Sequence, residues 1–219
     1  MTDTAIVDVD GTLVDTNYLH VLAWSRAFAR HGLTPEMWRI HHYCGMGGDQ
    51  LVPAVVGEEV DEKVGDAVRA GWEEEFGKLQ PEVRPFDRAT ELLADLKRRG
   101  FLVVLASSSK SAQVDLFLDL LNGREHCDAW TTSKDVDETK PNPDLLQVAL
   151  DKVGGSSGVV IGDSIWDFVA AARTELPGIG LRTGGFTAAE LTDAGAAQVF
   201  DSPADLLENL DETALSQPA

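Results

Sequence analysis

The stretch AIVDVDGTLVDT, Ala5 to Thr16, decides how the rest of the 219-residue chain is read. Ala5, Ile6 and Val7 form a short apolar run of the kind that fills a buried strand. Two carboxylates one residue apart, Asp8 and Asp10, end that run, and Gly11 permits a tight turn after them. In parallel α/β sheets, ligands bind at the carboxyl ends of the strands. Two anions placed there repel each other unless a cation or a shared proton intervenes. Mg²⁺ fits that need, because it takes oxygen ligands and leaves room for a substrate phosphate. The plainer alternative is a pair of solvated turn residues, and the sequence downstream separates the two.

From residue 17 to about residue 80 the signals are helical. Leu19, Leu22, Ala23, Ala27 and Phe28 make an apolar stripe over Asn17–His31, with Gly32 as its stop. Thr34-Pro35 predicts the start of a second helix carrying Met37, Trp38 and Ile40. Gly45-Met46-Gly47-Gly48 breaks it, a short helix follows through Leu51–Val56, and Asp61–Phe76 reads as another. Past Pro81 and Pro85, strands and helices alternate. The strands are Phe101–Leu105, Asp128–Thr132, Gly158–Ile161, Ile179–Leu181 and Ala197–Phe200; Arg88–Arg99, Val114–Leu121, a segment ending at Val153 and Trp166–Thr174 are helices between them. Thr187 and Glu190 have the spacing of a capping box, and Ser202-Pro203 starts a last helix. This pattern predicts a doubly wound parallel α/β sheet with a small helical cap inserted after the first strand. The expected boundaries are 1–16 and 82–211 for the core, 17–81 for the cap and 212–219 for a disordered tail.

A hydrophobic content of 43% and a charged content of 25% describe an ordinary globular chain, whereas a net charge of −19 does not. That balance excludes nucleic acid and anionic membranes as partners, since both select basic surfaces. No apolar run reaches the roughly 18–20 residues that span a bilayer. No signal peptide is evident, and Cys44 and Cys127 are far apart without a CxxC partner, so free thiols in a cytoplasmic protein are expected. A phosphorylated substrate approaching so acidic a chain needs local positive charge or metal at the site.

Three further motifs stand at strand ends or helix starts. Ala106-Ser107-Ser108-Ser109-Lys110 follows the Phe101–Leu105 strand and offers hydroxyls and backbone N–H groups to an anion. Thr139-Lys140-Pro141-Asn142-Pro143-Asp144 holds a lysine in a rigid loop before a helix, where it could offset excess negative charge. Ile161-Gly162-Asp163-Ser164-Ile165-Trp166-Asp167 ends another strand in acid, and Asp167 lies one turn on from Asp163. Each has a plainer reading: a Ser-rich loop with an N-cap, a surface lysine, a first-turn acid.

Taken in order, DVDGT (Asp8–Thr12), the Ser107 loop, KPNPD (Lys140–Asp144) and GDSIWD (Gly162–Asp167) resemble the four motifs of the haloacid dehalogenase-like (HAD) hydrolase superfamily. The likeness covers Ala5 to about Arg182. The helical insert is similar to the type-one cap of the branch that holds phosphoglycolate phosphatase and β-phosphoglucomutase. The resemblance implies a Rossmann-like core and a Mg²⁺-dependent phosphatase of a small phosphorylated metabolite, a monomer or small homo-oligomer, working through an aspartyl-phosphate. It implies Asp8 as nucleophile and Asp10 as general acid/base. It assigns Ser107, Ser108 and Lys140 to phosphate. Asp8, the backbone carbonyl of Asp10, and Asp163 are implied as metal ligands, with Asp167 and Thr12 as further site candidates. His20 and Lys110 match positions used by β-phosphoglucomutase, which makes a phosphosugar mutase the alternative activity. Thr12 is the phosphatase-like choice after DVDG, and the cap loop Gly45–Asp49, with Gly47 and Gly48 as its candidate selectivity residues, has no arginine for a second phosphate. A non-catalytic phosphate-binding protein on the same fold is the third reading.

Overall fold

A computed structural model describes residues 2–218. Six parallel strands form one sheet in the order β3-β2-β1-β4-β5-β6. The strands are β1 (Thr4–Val7), β2 (Leu102–Ala106), β3 (Ala129–Thr131), β4 (Gly158–Gly162), β5 (Gly178–Leu181) and β6 (Ala196–Phe200). β1 pairs in parallel with both β2 and β4, so it is central, and the strand order reverses beside it. In open α/β sheets that switch point is where ligands bind.

A strand at the centre must be apolar on both faces, and β1 is fully buried along its length. Ala5 and Val7 join the layer formed by α5 (Ala89–Arg99), α6 (Ser111–Leu120) and α11 (Pro203–Glu208), with Leu92, Leu96, Phe117 and Leu206 in the same cluster. Ile6 faces the other way, onto Leu145, Leu146 and Ala149 of α8 (Asp144–Val153) and Ala170 of α9 (Ile165–Arg173). A one-residue change in register would exchange the two sets. The short α7 (Gly123–His126) and α10 (Ala188–Ala194) complete the core helices.

The insert after β1 is all helical: α1 (Asn17–Arg30), α2 (Met37–His42), α3 (Gly48–Val56) and α4 (Glu58–Leu79). Its apolar faces meet in a cluster that includes Trp24, Phe28, Ile40, Leu51, Val55 and Val68. The chain leaves and re-enters the core along one short antiparallel ribbon. Val14 bridges Pro85, Asp15 N donates to Arg84 O (2.9 Å) and Phe86 N donates to Leu13 O (2.9 Å).

The structure corrects three expectations. α2 starts at Met37, not at Thr34-Pro35; Glu36 precedes it in extended backbone with no side-chain cap. α4 starts at Glu58, where Glu58, Glu59 and Asp61 in the first turn complement the helix dipole. The tail expected to be disordered over 212–219 packs onto the core as far as it is described: Leu215 is buried in the main cluster, and Arg99 Nη1 binds Asp211 Oδ1 (2.6 Å) and Ser216 O (2.9 Å). A single buried leucine and one arginine hold it, a pattern too sparse to show as periodicity. Ala219 and Met1, which begin and end the expected boundaries, lie outside the described residues. Among the described residues, no helix is long and apolar enough to cross a membrane.

Candidate active site

β1 ends at Val7, and Asp8 N still donates to Ile161 O (2.9 Å), so the first carboxylate continues the ladder at the switch point. Gly11 turns the chain with φ +77°, and any side chain there would run into Asn17 Nδ2 and Asp163 Oδ2. The turn carries Thr12 back beneath Asp8. Thr12 Oγ1 lies 3.1 Å from Asp8 Oδ2 and 2.7 Å from Asp163 Oδ1. Asn17 Nδ2, at the first position of α1, donates to Asp163 Oδ2 (2.8 Å).

Lys140 arrives from the loop before α8 and is almost wholly buried. Its ammonium contacts Asp8 Oδ1 and lies 2.7 Å from Asp167 Oδ1. Asp167 caps α9: its Oδ2 accepts from Ser164 N (3.0 Å) and Ser164 Oγ (2.7 Å). One Asp167 oxygen thus serves the helix start and the other faces Lys140. Asp8, Asp163 and Asp167 each offer an oxygen within 4.8 Å of the others.

Three carboxylates are buried together with one ammonium, which contacts Asp8 and Asp167 but not Asp163, and their protonation reflects it. Burial pushes the Asp8 carboxyl up to about 7, with Asp167 and Asp10 adding to the rise and Lys140 opposing it. Burial, Asp8 and Asp167 carry Asp163 well above the usual carboxylate range. Burial alone would pull the Lys140 ammonium down, but Asp167 and Asp8 outweigh it and hold it above its ordinary value. The set is short of positive charge, and a hard divalent cation taking carboxylate oxygens fits that deficit.

Asp10 sits apart from this cluster. Its Oδ1 is 2.9 Å from His20 Nε2, and its Oδ2 accepts from Ser109 Oγ (2.8 Å). Burial works to raise its pKa, yet the His20 and Ser109 contacts bring it below the ordinary carboxylate value. His20 is stacked on Phe76, with ring centroids 4.1 Å apart. One motif thus yields two carboxylates in different surroundings, the arrangement that separates acid/base roles.

Asp8 and Asp10 open onto a cavity of about 490 Å³ between core and cap, which Ser108, Ser109, Lys110, Gly47, Gly48 and Thr139 also line. Thr12, Lys140, Asp163 and Asp167 lie behind its floor. Ser107 is buried, and its Oγ accepts from Ser109 N (3.1 Å); Ser108 Oγ is buried without a partner. Lys110 is half exposed and pairs with Glu73 of α4. The cap loop is latched to the core. Gly47 N donates to Thr139 Oγ1 (2.9 Å), and Asp49 accepts from Thr139 Oγ1 (2.6 Å) and Thr139 N (3.1 Å). Cys44 also lines the cavity, but burial beside Asp163 and Asp10 pushes its thiol up, away from nucleophilic use.

Ser109, Asn17, Thr139 and Asp49 escape a reading of motifs alone. Ser109 was within reach, since the serine run itself carries the signal. The other three act through contacts across 90 or more residues, for which local sequence has no mark. Arg69 of α4 also reaches the cavity, through a helix whose charges read as a solvated face.

A family model described as haloacid dehalogenase-like hydrolase matches residues 5–180. The phosphoglycolate phosphatase of Agrobacterium fabrum is 27% identical, over 98% of this chain and 95% of that protein. Protein CbbY of Cereibacter sphaeroides is 30% identical, over 98% of this chain and 99% of that protein. The crystal structure of a hydrolase from Pseudomonas syringae superposes with a TM-score of 0.91 at 34% identity, covering 98% of this chain and all of that one (100%). With the match spanning the switch-point carboxylates, the lysine loop and the acid-ended fourth strand, the chain belongs to the haloacid dehalogenase-like hydrolase family.

Proposed function

We propose that this phosphoric monoester hydrolase is a Mg²⁺-dependent phosphatase acting on a small phosphorylated metabolite through a phosphorylated Asp8. The reading rests on one contrast: Asp8 is buried against Lys140 at the cavity floor, while Asp10, two residues on, is held by His20 and Ser109 at the wall. Asp8 attacks phosphorus in line, and the ester P–O bond breaks as the new P–O bond forms. Asp10 delivers a proton to the leaving alkoxide, which departs as the alcohol, and His20 Nε2, 2.9 Å from Asp10 Oδ1, orients the carboxyl for the transfer. In the second half, Asp10 takes a proton from water, whose oxygen attacks phosphorus and releases inorganic phosphate and free Asp8. Ser107 keeps its hydroxyl proton to donate, Ser108 Oγ is unpartnered, and both answer to phosphoryl oxygens with Lys140. Asp8, Asp163 and the Asp10 carbonyl would hold Mg²⁺, and Asp167 would orient Lys140 beside it. When bound, the ion supplies neutralisation of the charge that builds on the phosphoryl oxygens.

The test is inorganic phosphate release from a broad panel of phosphomonoesters, with Mg²⁺ or EDTA, alongside Asp8→Asn. Mg²⁺-dependent release that the variant lacks is expected. Conversion of β-glucose 1-phosphate to glucose 6-phosphate without phosphate release would replace hydrolysis by a mutase.

A further inference from the structure

The chemistry above uses one end of the cavity. At about 490 Å³ the space is in the range that holds a drug-sized molecule, far more than a phosphoryl group fills. The cap-side end is walled by Trp24 and Trp72, whose rings stack with centroids 4.9 Å apart. Trp72 Nε1 is buried there without a hydrogen-bond partner. That nitrogen has no surface open to the cavity, so Trp72 presents ring carbon rather than a donor to an occupant.

Two cations reach this end, and the protein has already engaged both. Arg69 Nη1 donates to Asp61 Oδ1 (2.6 Å) and Gly48 O (3.3 Å), and its Nη2 donates to Asp66 Oδ1 (2.9 Å). Lys110 is paired with Glu73. Two more carboxylates line the same space: Asp49, which accepts from Thr139, and Asp137, which makes no ion pair among the described residues. Four carboxylates, Asp49, Asp66, Glu73 and Asp137, thus line this space beside two cations that already carry acidic partners. A second phosphate or a carboxylate on the leaving group would meet like charge and have to displace acidic partners. Hydroxyls meet the opposite situation, since the carboxylates accept from them. The tryptophan faces pack against ring C–H groups and attract an ammonium.

Resting on the phosphatase reading, we propose that the leaving group is a hydroxylated, non-anionic alcohol of sugar or cyclitol type, neutral or amino-bearing. Glu73 and Asp66 set this selectivity by engaging Lys110 and Arg69.

The test compares kcat/KM for glucose 1-phosphate, glucosamine 1-phosphate and glucuronic acid 1-phosphate, which share one pyranose ring and differ in charge. A second set, 2-hydroxyethyl phosphate, ethanolamine phosphate and 2-phosphoglycolate, repeats the comparison at smaller size, and p-nitrophenyl phosphate reports hydrolysis as such. The neutral and cationic members should exceed the anionic one by about ten-fold in each set that is turned over, chiefly through KM. Glu73→Gln, which releases Lys110, should narrow that ratio several-fold. An anionic ester hydrolysed as well as its neutral match, or a ratio unmoved by Glu73→Gln, overturns the charge rule while leaving the phosphatase reading intact. Turnover of p-nitrophenyl phosphate with none of the six esters hydrolysed also overturns the rule. Release from no compound at all overturns both.

Discussion

The floor and the cap-side wall of the cavity handle charge in opposite ways. At the floor, Asp8, Lys140, Asp163 and Asp167 are all buried and each is held: Asp163 by Thr12 and Asn17, Asp8 by Lys140, and Asp167 by Ser164 of its own helix start. At the wall, Arg69, Lys110 and Glu73 are part-exposed: the Lys110–Glu73 pair is half exposed, and Arg69 bridges the part-buried Asp61 and the exposed Asp66. Removing one member of a buried pair costs about 3–5 kcal/mol, whereas an exposed pair contributes about 0–1 kcal/mol. The floor is therefore rigidly specified, while the wall can change with little effect on folding. The proposed chemistry uses the first and the proposed selectivity the second.

The sharpest way to break this division is at the nucleophile. Asp8→Asn should lower phosphate release by about 10⁴-fold or more while the far-ultraviolet circular dichroism stays that of the parent. Asp10→Asn should cost about 10²–10³-fold in kcat, the usual worth of a positioned acid/base. If it spared the rate, Asp10 would be only a partner for His20 and Ser109.

Stability sharpens the contrast next. Lys140→Met leaves the buried carboxylates without their ammonium, and urea unfolding should show a loss of about 3–5 kcal/mol. Lys110→Met, at the wall, should change stability by less than about 1 kcal/mol. Equal losses would erase the distinction between the two regions.

The smallest effect concerns pH. The Asp8 carboxyl is pushed from 3.8 up to about 7 in the folded protein. Folded, metal-free protein thus keeps a proton that the unfolded chain gives up, and its stability should fall as pH rises through that interval. An ion that replaces the proton reverses the penalty, so Mg²⁺ should raise the thermal midpoint more at pH 8 than at pH 5. A shift as large at pH 5 would separate the ion from these carboxylates.

The same contrast governs what the sequence discloses. β1, β2 and β4 are legible because buried parallel strands are continuous apolar runs, and the carboxylates that end two of them stand out against that background. Asp167 was legible as an acid but not as the holder of Lys140, which depends on one oxygen being left over from the cap of α9. The wall was scarcely legible. Trp24 and Trp72 sit at helical spacing and read as core, and Arg69 lies among acids that read as a wet helix face. α7 is too short to show a period, and the burial of Leu215 depends on a cluster built by distant segments.

The ribbon at Leu13–Asp15 and Arg84–Phe86 has a consequence for how such a molecule can diversify. Both ends of the helical insert meet at one spot, tied by backbone hydrogen bonds that need no side chain from the insert. Closure entropy grows only slowly with the length of a loop, so with its ends already joined the excursion can be exchanged for one of another size. The sheet would retain its register and its Asp8–Lys140 contact beneath whatever was grafted. The attachment is a socket: the catalyst stays while its sense of substrate is replaced as a unit.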